Sequence, residues 1–178
     1  MQPTRTLLLA IWREACRHID VAESTRTIAQ LLEPEMPLDR VVVRRIDADP
    51  PTIVTVAAAL APSDSPLTDH RRELTEEEYR RLNQWCAEGR ILDSRAGVLS
   101  VLGRVIPPDL TGELIAAPLR VEGGAQGILL LAARSSEPFS DAHRELADRL
   151  REPFSVALEN DHRLHEITRL RAAAEAEK

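Results

Sequence analysis

The sequence predicts an α+β domain built on antiparallel strand pairs, and three observations predict it. Two pairs of apolar, β-branched runs each flank a turn signal. Amphipathic helical stripes precede, separate and follow them. The second pair is apolar on both faces, which implies central strands covered on each side.

The elements follow in order. Leu8, Ile11, Trp12, Ala15 and Ile19 recur at helical spacing over residues 6–19 and form one buried stripe. Asp20 with Glu23 has the pattern of a capping box that restarts a helix; its stripe is Val21, Thr25, Ile28, Ala29 and Leu32, stopped by Pro34 and Pro37. Residues 38–47 (LDRVVVRRID) then read as a strand, Asp49-Pro50-Pro51 as a turn and residues 52–60 (TIVTVAAAL) as the hairpin partner. A loop rich in proline, serine and aspartate follows. Thr75 with Glu78 makes a second capping box, opening a helix through Tyr79, Leu82, Trp85 and Cys86 that ends near Gly89. Between Ile91 and Leu110 the pattern fits a short strand or a helical turn at Val98, Leu99, Val101 and Leu102, closed by Pro107-Pro108; a short strand is the reading adopted. Residues 113–121 (ELIAAPLRV) and 126–133 (QGILLLAA) form the second hairpin across Gly123-Gly124. Ser140 caps a last helix from Asp141, whose stripe runs from Leu146 to Leu170 with a kink expected at Pro153.

Composition narrows the chemistry. The 178 residues carry a formal charge of −6 and a pI near 5.4, which disfavours a nucleic-acid surface. Lys178 is the only lysine, so Schiff-base catalysis and a GxxxxGK(S/T) phosphate loop are excluded from the folded body. No apolar run is long enough for a membrane span, and Cys16 and Cys86 lack CxxC spacing; both point to the cytoplasm. The histidines His18, His70, His143, His162 and His165 sit in no metal-binding spacing, and neither metal nor cofactor is expected.

The order helix, helix, hairpin, helix, irregular segment, hairpin, long helix resembles a GAF domain. The residues that carry the match are the strand closing in Pro118-Leu119, a tight turn, Gly127 before a second apolar strand, and Phe139-Ser140 leading into the terminal helix. Within that helix, Glu152-Pro153-Phe154, Ala157-Leu158-Glu159-Asn160 and Arg169-Leu170-Arg171 are similar to the GAF domains that precede the AAA+ domain in sigma-54-dependent transcription activators of the formate-hydrogenlyase activator type. The likeness is close over residues 113–178 and architectural over residues 4–89.

The resemblance implies an antiparallel sheet of five or six strands, with the first and last helices packed on one face. It implies a small-molecule pocket on the other, covered by residues 61–74 and 91–110. It also implies a sensory role, with residues 1–158 as the domain and residues 159–178 as a helical linker toward an AAA+ output domain beyond Lys178. A structural dimerisation module, the sensory domain of a signalling kinase and a small methionine-sulfoxide-reducing enzyme are the alternatives.

Arginines are the foremost candidate ligand contacts, because a guanidinium presents a fixed fork to carboxylate or phosphate. Strand alternation puts Arg44 on the face of Val42 and Ile46 and Arg45 on the face of Val41 and Val43, so one points at the pocket. Arg104 lies in the covering segment, and Arg120 ends a strand. Arg44 or Arg45 with Arg104 is the pair expected to hold a small organic anion. Trp85 and Cys86 line the third helix, Cys86 being the candidate thiol sensor or cofactor anchor. Cyclic nucleotides are disfavoured, since their GAF signature needs a lysine. Leu164, Ile167 and Leu170 stay apolar beyond the domain, which predicts a homodimer through the first and last helices.

Overall fold

The computed structural model describes residues 2–17, 20–60, 71–94, 97–120 and 126–177. Its helices are α1 (Gln2–Arg17), α2 (Val21–Leu32), α3 (Glu76–Glu88), α4 (Val98–Leu102) and α5 (Asp141–Ala176). Its strands are β1 (Leu38–Ala48), β2 (Pro51–Ala59), β3 (Arg71–Glu73), β4 (Leu92–Asp93), β5 (Leu114–Arg120) and β6 (Gln126–Ala133). They form one antiparallel sheet in the order β3-β2-β1-β6-β5-β4, so the two predicted hairpins join side by side at β1 and β6.

The central strands read as apolar on both faces because both faces are covered. On the first face α1, α2 and α5 pack Ile11, Ile28, Leu150, Phe154 and Leu158 against Val41, Val43, Leu129 and Leu131. On the second, α3, α4 and the 3-10 turn Gly103–Val105 bring Leu82, Trp85, Leu102 and Val105 onto Val42, Ile46, Ile128 and Leu130. Gly127 fits the first of these layers. A Cβ there would stand 2.6 Å from the Arg44 carbonyl oxygen and 2.6 Å from Leu158 Cδ2.

Local signals set the helix boundaries. Thr75 Oγ1 accepts from the Glu78 N–H at 3.1 Å while Glu78 Oε2 accepts from the Thr75 N–H at 2.9 Å, closing the expected capping box. Gly89, at φ 67°, ends α3 in the left-handed conformation. Ser140 caps α5, with His143 returning the second bond of the box through Nδ1 at 3.0 Å. Asp20 caps α2 by accepting from the Ala22 N–H at 2.8 Å. The last helix runs through Pro153 as one 36-residue element.

Three short elements differ from expectation: the edge strands β3 and β4, which the sequence pattern did not mark, and α4. Residues 98–102, read as a short strand, are the helix α4. Gly97 starts it at φ 77°, and its carbonyl accepts from the Ser100 and Val101 N–H groups and from Ser100 Oγ. These bonds close within five residues, and the outer side of β5 that a strand would need is taken by β4. The Gly123-Gly124 turn and most of the covering segment 61–74 lie outside the described residues.

Candidate ligand site

The site is built from β1 outward, because alternation along that central strand decides which face each arginine serves. A bulge sits at Asp39: Leu38 pairs with Ala133 and Arg40 with Ala132, so Leu38 joins the first-face core while Arg40 turns to the second face. Arg40, Val42, Arg44 and Ile46 then share that second face.

Arg44 is fully buried there, and its Nη1 donates to the Val105 carbonyl at 2.6 Å. It thereby ties the 3-10 turn to the sheet. Arg45 points to the opposite face. Its Nε and Nη2 donate to the two carboxylate oxygens of Asp47 at 2.8 and 3.2 Å, a bidentate pair that raises the pKa of the guanidinium. Arg45 also lines a cleft of about 620 Å³ at the end of the sheet, bounded by Asp49, Asn83, His162, His165 and Arg169.

Arg104 does not join either of them. It is exposed on the 3-10 turn, and its backbone carbonyl accepts from Arg72 Nη1. The expected pairing of Arg44 or Arg45 with Arg104 is therefore replaced by three separate environments. Arg120 is exposed at the end of β5, where its N–H donates to Ser155 Oγ of α5 at 3.2 Å.

Trp85 is 2% exposed and donates from Nε1 to the Arg90 carbonyl at 2.7 Å, which fixes the end of α3. Cys86 is equally buried, and burial pushes its thiol up to about 12. That environment suits packing and opposes a thiolate. Among the described residues no three His, Cys, Asp or Glu side chains gather as a metal site, and no helix is long and apolar enough to cross a membrane.

Sequence reasoning passed over Arg40. Only 7% of it is exposed, and its Nη1 is buried with no hydrogen-bond partner.

The fold is shared with solved structures. The GAF domain of an Acinetobacter phosphoenolpyruvate-protein phosphotransferase superposes with a TM-score of 0.65 at 14% identity, covering 91% of this chain and 96% of that one. The chain has the GAF fold. A phycoerythrobilin-bound GAF domain from a cyanobacterial phytochrome matches with a TM-score of 0.63 at 13% identity, covering 91% of this chain and 97% of that one. A third GAF-fold neighbour, the free methionine-R-sulfoxide reductase of Neisseria meningitidis, matches with a TM-score of 0.62 at 17% identity, covering 90% of this chain and 91% of that one. No protein-family model and no curated protein matches the sequence.

Proposed function

We propose that this GAF-fold chain is a regulatory, ligand-sensing domain that passes its state to an output domain through α5. The observation that carries the reading is the position of that helix. It packs on the sheet as far as Leu158, meets α2 through Asp161, which is 3% exposed, and continues to Ala176 as an exposed helix. A ligand that binds two arrangements of the second face unequally would move a helix anchored on the first face through the shared strands β5 and β6.

Two features tie α5 to the domain. Asp161 Oδ1 accepts from the buried Val21 N–H at 3.2 Å at the start of α2, where the helix dipole favours a carboxylate. Arg144 Nε donates to the Asp93 carboxylate on β4. Signalling GAF domains, including the phosphotransferase and phytochrome domains above, support a sensory role. The motifs in residues 113–178 favour output through the AAA+ domain of a sigma-54-dependent activator. The exposed Leu9, Leu164, Ile167 and Leu170 suit pairing with a second copy along α1 and α5.

The reductase neighbours raise an enzymatic alternative. Cysteine redox chemistry needs accessible thiolates within reach of one another. Here Cys86 is buried under the second face, and Cys16 is exposed on α1, which packs on the first. A structural module with a filled pocket is favoured by the apolar cluster of the second face.

Native mass spectrometry of the purified chain and thermal melts against a panel of small metabolites test the sensory reading. A retained mass, or a metabolite that raises the melting temperature, is the expected result. Neither outcome appearing would overturn the reading in favour of the structural module.

A further inference from the structure

The second face of the sheet buries charged side chains. Among the described buried residues it holds two cations, Arg40 and Arg44, whereas the buried carboxylates Glu159 and Asp161 both belong to α5 on the first face. Arg44 has its carbonyl partner in Val105. Arg40 is more than nine-tenths buried, makes no ion pair with a described residue, and holds Nη1 out of water with nothing to donate to.

Its described strand neighbours offer no opposite charge. Across the sheet stand Ala132 of β6 and then Leu114 of β5, and two residues along β1 stands Val42. All are apolar, and an isolated charge among them is costly unless something else supplies the opposite sign. An apolar side chain would satisfy this position better, so packing does not account for arginine here.

We infer that Arg40 is the anchor of an anion site on the second face, and that the ligand presents a carboxylate or phosphate to its guanidinium. The inference rests on the sensory reading and narrows it to a chemical class. A guanidinium edge offers two parallel N–H donors, which a carboxylate or phosphate accepts and a neutral or cationic ligand does not.

Thermal melts of the wild type and of Arg40→Met in sodium acetate and in sodium phosphate, against sodium chloride at matched ionic strength, test this. One of the two anions should raise the wild-type melting temperature by roughly 2–8 °C. Arg40→Met should melt higher than the wild type in chloride, because a buried charge is gone, and should gain nothing from the anion. If Arg40→Met does not fold, Arg40→Lys keeps the charge without the fork and should show a smaller anion shift than the wild type. Equal anion shifts in wild type and variant place the anion elsewhere and overturn the assignment. No anion response of the wild type overturns it as well. A neutral metabolite that still stabilises the protein would then leave the sensory reading standing, whereas no response to any metabolite and no retained mass sink both.

Discussion

Arg44 and Arg45 are neighbours in the chain and occupy opposite sides of the sheet, one buried against Val105 and the other paired with Asp47 beside α5. Alternation in the sequence was enough to separate them. Alternation also puts Arg40 on the face of Arg44, but it carries no sign that the start of β1 is covered, and the burial of Arg40 shows only in the folded chain. The two cysteines give a direct check on side-chain environment. Iodoacetamide should label Cys16 in the native protein and Cys86 only after unfolding, as read by mass spectrometry; rapid double labelling would contradict the burial of Cys86. The pH dependence follows in sign. The folded thiol is raised from 9.0 to about 12, so its contribution to stability is intact below pH 9 and declines as pH rises toward 12, while the unfolded thiol ionises first. Denaturation of Cys86→Ala should therefore show a shallower loss of stability over that alkaline range than the wild type. Gly127 makes a harsher test. Any Cβ meets backbone as well as Leu158, so Gly127→Ala should cost ~1–3 kcal/mol in urea denaturation, whereas a loss under half a kilocalorie would mean that α5 packs more loosely than described.

Elements were legible where a local physical signal marks them and obscure where pairing alone creates them. Both strands of each predicted hairpin, the Thr75 box and the Ser140 cap are written in periodicity and capping residues. The edge strands β3 and β4 are not, since Arg71–Glu73 and Leu92–Asp93 are too short to show a period and exist only by bonding to β2 and β5. The same limit made α4 read as a strand: five residues carry no more than one turn of pattern, and Gly97 decided the outcome by opening a helical turn. The joint between α2 and α5 belongs to this scale too. Asp161→Ala would leave the buried Val21 N–H without its acceptor and should destabilise the domain by ~1–3 kcal/mol. His165 shares that carboxylate from a largely exposed position at 3.3 Å, so His165→Ala should change stability far less. Equal losses from both substitutions would mean that the contact with α2 is not what holds the helix.

At the scale of the whole molecule, the stripe of α5 predicted both its packing and its continuation past the sheet. The buried part of that apolar stripe ends at Leu158, while Glu159 and Asp161 are also buried, because polar side chains do not register as an apolar stripe. Beyond them Leu164, Ile167 and Leu170 are 41, 48 and 62% exposed on the last turns of the helix. Removing three such side chains from water contributes about 1.5–3 kcal/mol each when complete, and a second copy of α5 offers the same surface in the same orientation. Light scattering at tens of micromolar should therefore give the mass of a dimer for the wild type. Leu164→Glu, Ile167→Glu and Leu170→Glu combined should give a monomer whose far-ultraviolet dichroism still reports a folded sheet and helices, since none of the three is buried in the domain. A wild-type monomer at that concentration would rule out the self-pairing and leave this surface for the output domain, and a dimer that survives the triple substitution would move the interface to α1, where Leu9 is 61% exposed.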